Sequence, residues 1–195
     1  MLLFEGMGLV IKAKTIYIIL IESNRNHALR SSTKERPTMS KILVAYFSAE
    51  AGRTARVAQT IAEASGGDIF EIIPAETYTM KDLNWKNPLS RCNREKIGKK
   101  DVPIKNKVEN MDEYDLVFLG FPIWYFEAPN VIHTFVKEYD FTGKKIVLFA
   151  TSGGSDINNT PAKLKPDFNG GEIVDARKFE PTDREAISAW VKSLI

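Results

Sequence analysis

The sequence predicts one α/β domain, a three-layer α/β/α sandwich around a five-stranded parallel sheet. From Lys41 onward, apolar runs and amphipathic stretches alternate, as in strand–helix–strand units whose right-handed crossovers cover both faces of a parallel sheet. Three of the runs, KILVAYFS, DLVFLGF and KKIVLFATS, are continuously apolar, as strands covered on both faces must be. The length of 195 residues, 44% of them apolar and 27% charged, suffices for a sizeable core of ordinary composition.

The elements follow in order. KILVAYFS (41–48) is the first strand. TARVAQTIAEAS (54–65) places Val57, Ala58, Ile61 and Ala62 on one helical face, and Gly66-Gly67 stops it. DIFEIIP (68–74) alternates and then meets Pro74, which suits a strand near an edge. Residues 75–112 are polar, with Pro88 and Pro103, and read as a long, partly irregular crossover. Strands follow at 115–121, 144–152 and 171–179. A helix spans 129–139, with Pro129 suited to its first turn, and an amphipathic helix closes the chain at 182–195.

Charge and composition exclude several classes. The net charge of +2 divides into +3 over residues 1–38 (six Lys/Arg, three Glu) and −1 over the remainder (21 Lys/Arg, 22 Asp/Glu). That balance gives no case for nucleic-acid binding. Between Arg91 and Lys107 seven Lys/Arg face two acids; this run is either a solvated face or a docking patch for an acidic partner or a cofactor. The single cysteine, Cys92, excludes an internal disulfide and suits a reducing compartment, so a cytoplasmic location is expected. Cys92 itself reads as a bystander. Residues 1–38 are apolar at first, but Lys12 and Lys14 interrupt them, and the longest clean run is Thr15–Ile21. That is far short of the roughly 20 residues of a membrane span. These residues are expected to be a dispensable extension, with an anchor or an extra strand as the alternative, and a functional domain over 39–195. No metal-ligand spacing and no catalytic acid/base constellation appears; His27 and His133 are isolated, the latter expected at the surface or half-buried.

In an open parallel sheet a ligand sits beyond the carboxyl ends of the strands. Three loops lie there. SAEAGRT (48–54) offers the hydroxyls of Ser48 and Thr54, close approach at Gly52, and the free N–H groups of a helix start. It suits a phosphate, with a plain turn as the alternative, and it lacks the lysine of a nucleoside-triphosphate loop. GFPIWYFEAP (120–129) puts Trp124 and Tyr125 in a loop, either packed beneath it or offered to a flat aromatic ligand. TSGGSD (151–156) allows backbone amides to approach a polar ring edge. Together the three describe a site for a mononucleotide with a large planar head.

YFSAEAGRTARVA, DLNWKNPLSRCNRE, YDLVFLGFPIWYFEAP and FTGKKIVLFATSGGS resemble the matching segments of short-chain bacterial flavodoxins, in the same order and spacing, over essentially 41–195. The resemblance implies a flavodoxin-like fold with sheet order 2-1-3-4-5 and one non-covalent FMN. It implies Ser48, Gly52, Arg53 and Thr54 around the phosphate. Pro122, Ile123, Trp124 and Tyr125 would flank the isoalloxazine, with Thr151, Ser152, Gly153 and Gly154 on its other edge. The implied function is electron carriage between redox partner proteins, a reductase and an acceptor. The alternatives are an FMN oxidoreductase that takes hydride from NAD(P)H, and a flavin-free interaction domain. Two departures stand out: Glu50-Ala51 where the family has a hydroxyl, so that Glu50 should point outward, and Phe126 where a small residue is usual.

Overall fold

The computed structural model describes residues 40–49 and 51–195; the expectations for residues 1–38 and for Glu50 lie outside the described residues. Ser40–Ile195 form one compact unit. Its strands are β1 (Ile42–Tyr46), β2 (Asp68–Glu71), β3 (Leu116–Pro122), β4 (Lys145–Thr151) and β5 (Glu172–Lys178). Its helices are α1 (Arg53–Ser65), α2 (Arg91–Gly98), α3 (Asn130–Lys137), α4 (Thr160–Leu164) and α5 (Arg184–Lys192), with single 3-10 turns at Met111–Glu113 and Lys165–Asp167. The sheet is parallel throughout in the order β2-β1-β3-β4-β5. The predicted fold class and strand order are therefore those of the structure.

Alternation along each central strand divides the core in two. Leu43, Ala45, Val117, Leu119, Ile146 and Leu148 face one layer, where α3 contributes Val131, Ile132, Phe135 and Val136. Val44, Tyr46, Phe118, Val147 and Phe149 face the other, where α1 contributes Val57, Ala58 and Ile61, and α5 contributes Ile187, Trp190 and Val191. Truncating a side chain such as Phe135 to alanine would cost about 3–5 kcal/mol. Gly120 is fixed by packing: a Cβ there would lie 2.0 Å from the Phe149 ring.

The crossover between β2 and β3 has more order than its composition suggests. β2 ends at Glu71, and just beyond it Pro74 forms an isolated antiparallel bridge with Ile104, with Ala75 N–H donating to Pro103 O and Lys105 N–H to Ile73 O, both at 2.8 Å. The returning chain pairs the backbone just past the edge strand, where Asn106 also accepts from Ile73 N–H and donates to Glu71 O. The crossover also holds α2, secured by Arg91 Nε–Glu95 at 2.6 Å and by Tyr78 OH donating to Glu95 at 2.5 Å. β1 lies between its sequence neighbour β2 and β3, so the winding direction reverses there. The loops after β1, β3 and β4 share the carboxyl edge beside this reversal.

Candidate functional site

The loop after β1 closes on itself and on α1. Gly52 N–H donates to Ala49 O at 2.9 Å, and Gly52 takes φ 62°, a left-handed turn into the helix that a β-carbon would oppose. Ser48 Oγ accepts from Ala55 N–H at 3.2 Å, and the Ser48 hydroxyl meets only the distant Ala49 O, at 3.5 Å. Among the described residues the N–H groups of Arg53 and Thr54 find no acceptor. Helix start, dipole and free amides together make a place for an anion.

Two members of this loop are held elsewhere. Thr54 is 1% exposed and Thr151 2%, and their hydroxyls hydrogen-bond each other at 2.9 Å. This buried pair ties the start of α1 to the end of β4. Arg53 pairs with Glu180, in the connection that follows β5. Among the described residues its Nε is buried without a partner, an N–H open to an acceptor.

The loop after β3 makes a tight two-residue turn. Trp124 and Glu127 exchange backbone hydrogen bonds at 3.0 and 3.1 Å. Between them Tyr125 and Phe126 take φ 51° and 62°. A turn with both central residues left-handed favours Asn-Gly; with side chains at both positions it holds about 1–2 kcal/mol of strain per residue. Phe126 is 67% exposed and stands in the lining of the cavity described below. Trp124 lies edge-on to Phe47 (5.7 Å) and to Tyr78 (5.2 Å). Tyr125 OH lies 3.2 Å from Cys92 Sγ; burial first, and then this contact, raise its pKa. Burial first, and then the Glu95 carboxylate, likewise raise that of Tyr78.

Ile123, Trp124, Tyr125 and Phe126 face Gly153, Gly154 and Ser155 across a cavity of about 680 Å³, and Leu83, Trp85 and Cys92 from the crossover complete the lining. A Cβ added to Gly153 or Gly154 would meet no protein atom within 4 Å, and neither residue has a positive φ. Neither internal packing nor backbone conformation calls for glycine there. Ser152 Oγ shapes this loop by accepting from Gly154 N–H (3.2 Å) and Ser155 N–H (2.9 Å). A second cavity, of about 510 Å³, is lined by Ser48, Ala49, Gly52 and Ala55 together with Phe47, Tyr78 and part of 71–79. The Phe47–Tyr78–Trp124 cluster stands where the two meet, with Phe47 and Tyr78 in one lining and Trp124 in the other.

Of the residues expected at the site, Ile123, Trp124, Tyr125, Gly153 and Gly154 line the larger cavity and Ser48 and Gly52 the smaller. Pro122 ends β3, while Thr54, Thr151 and Ser152 hold the loops together. Leu83, Trp85, Cys92 and Ser155 belong to the lining but were not expected there. Cys92 is thus no bystander in position. Trp85, a tryptophan in an otherwise polar stretch, was the available signal.

The family model described as Flavodoxin matches residues 41–194. The chain belongs to the flavodoxin family. A flavoprotein of Bacteroides eggerthii is 47% identical with a TM-score of 0.71, covering 79% of this chain and 97% of that one. A flavoprotein of Bacteroides uniformis is 41% identical with a TM-score of 0.72, covering 78% and 98%. A flavoprotein of Lactobacillus acidophilus, crystallised in complex with FMN, shares the fold at 20% identity, with a TM-score of 0.57 and coverage of 76% and 99%. No curated protein matches the chain. Among the described residues of this flavodoxin-family chain, no cluster of His, Cys, Asp and Glu could hold a metal, and no helix is long and apolar enough to cross a membrane.

Proposed function

We propose that the chain binds one FMN without a covalent link and carries electrons between redox partner proteins. The observation that carries this reading is the facing pair of loops: an aromatic turn and a glycine loop across a large apolar cavity, beside an anion-ready helix start, in a chain of this family. The residues fit such a cofactor. Gly153 and Gly154 leave room that internal packing does not need, and among the described residues the buried Arg53 Nε lacks an acceptor.

In this reading Ser48 and the amides at the start of α1 hold the phosphate. Arg53, oriented by Glu180, adds positive charge. Trp124 and Tyr125 cover one side of the flavin ring, and Ile123 closes the floor. The Gly153-Gly154 loop, shaped by Ser152, would lie along the polar edge of the ring. Pro122 sets the direction of the aromatic turn, and Thr54, Thr151 and Ser152 hold the loops in place. FMN supplies reversible uptake of one or two electrons; the chain binds it, orients it and limits water around it. The ionisable side chains in the cavity lining are Cys92 and Tyr125, and the Tyr125 phenol is held neutral by burial. The site is therefore poor in acid/base groups, as suits a carrier.

The test is to reduce FMN-loaded protein with NADH or NADPH alone, and then with a flavodoxin reductase added. A carrier is reduced promptly only when the reductase is present. Rapid reduction by the nicotinamide alone would make the chain a reductase instead.

A further inference from the structure

Behind the aromatic turn lies a groove that the flavin reading does not use. It measures about 410 Å³ and runs between the end of α2, one face of α3, and α4. Five lysines converge on it, Lys96, Lys99, Lys100, Lys137 and Lys163, against three carboxylates, Asp101, Glu127 and Asp167. With His133 neutral this leaves five positive charges against three negative.

The ion pairs localise that surplus. Glu127 is shared between Lys96 and Lys163, the latter at 3.1 Å. Lys137 engages Asp101 at 3.0 Å and Asp167 at 3.8 Å, and His133 Nδ1 also meets Asp167, at 2.5 Å. Among the described residues Lys99 and Lys100 have no carboxylate partner. Burial and the ammonium groups of Lys163 and Lys99 depress the Lys96 amine even though it touches Glu127.

The backbone holds the two unpaired lysines in place. Lys99 takes φ 45° where α2 ends, with Lys99 N–H donating to Lys96 O at 3.4 Å and Lys100 N–H to Glu95 O at 3.3 Å. Glycine is the usual residue at such a position, and Gly98 precedes it by one residue. Asn130 Nδ2 secures this end by donating to Glu95 O (2.9 Å) and Lys100 O (2.8 Å). A small cavity of about 10 Å³ is lined by residues of both, Lys96 and Asn130 of the groove and Cys92, Trp124 and Tyr125 of the flavin-sized cavity, together with Glu95.

We propose that this groove is a binding site for a small molecule bearing a phosphate dianion, with Lys99 and Lys100 as the cations that receive it. Lysines serve phosphate as point charges, whereas planar carboxylates are better matched by the arginine fork, and no arginine lines the groove. The surplus of two charges matches a dianion. The phosphate can be free or carried on a nucleotide.

The proposal does not depend on FMN binding. Calorimetric titrations with inorganic phosphate and with adenosine 5′-monophosphate, at constant ionic strength, test it on the full chain loaded with one FMN and freed of unbound FMN. FMN uptake is read separately by fluorescence. Saturable binding is expected with at least one probe. Tighter binding of the nucleotide identifies that source, and equal binding identifies free phosphate. Lys99→Ala/Lys100→Ala should weaken binding by about tenfold or more, the loss of two charge-assisted contacts, and leave FMN uptake unchanged. Lys163→Ala, on another helix, should weaken it by a smaller factor. A chain that binds neither probe, or variants that bind as tightly as the parent, would overturn the proposal.

Discussion

Thr54 was expected at the phosphate and Thr151 at the edge of the flavin ring, and replacing either residue separates a ligand-binding role from a structural one. Both side chains are buried and their hydroxyls meet at 2.9 Å. Thr54→Val keeps the shape and removes one hydroxyl, so the hydroxyl of Thr151 is left buried without a partner. An orphaned buried polar group costs about 1–3 kcal/mol, whereas replacing both partners with apolar groups of the same shape is close to neutral. Each single variant should therefore lose about 1–2 kcal/mol of stability, and Thr54→Val/Thr151→Val should recover most of it. Equilibrium urea unfolding of the FMN-free protein reads this directly: with a slope of about 2 kcal/mol/M, each single variant moves the midpoint down by about 0.5–1 M. The double variant should return close to the parent. If the single variants keep parental stability without FMN but lose FMN affinity by about tenfold or more (about 1.4 kcal/mol), the hydroxyl faces the cofactor and the structural role is wrong.

Further outcomes follow from the same geometry. Gly153→Val and Gly154→Val should weaken FMN binding by about tenfold or more, roughly 1.4 kcal/mol, with little change in FMN-free stability, because the added side chains meet cavity rather than protein; fluorescence titration and urea unfolding check the two halves. Phe126→Gly should relax the aromatic turn by about 1 kcal/mol, partly offset by the freedom glycine adds to the unfolded chain, and thermal unfolding measures the balance. The raised pKa values of Tyr78 and Tyr125 have a definite sign. The unfolded phenols lose their protons near pH 10 while the folded ones keep them, so stability is complete below about pH 10 and falls above it. Tyr78→Phe should flatten that alkaline decline, as unfolding at a series of pH values would show.

The architecture was legible because burial on both sheet faces leaves a coarse mark: apolar runs such as 42–46 and 116–121 admit few other readings. Pairing order was legible only through family resemblance, since nothing local in β1 states that β3 lies beside it. At the site, residue type indicated which loops matter but not which atoms are free. Thr54 and Thr151 read as donors to a ligand, yet they satisfy each other across 97 positions of sequence. Arg53 read as a free cation, and its partner Glu180 is 127 positions away. Leu83, Trp85 and Cys92 were not assigned to the site because a long polar crossover carries no periodicity, and only its folding back brings them to the cavity. The strain at Tyr125 and Phe126 was also invisible, because an aromatic pair does not announce a left-handed turn.

Adding FMN to the FMN-free chain tests the central claim most directly. Binding in the aromatic cavity predicts quenching of flavin fluorescence to a sharp end point at one FMN per chain, with a shift of the flavin absorption bands. A titration that leaves fluorescence and absorption as in free FMN would contradict it and leave the flavin-free reading of this domain.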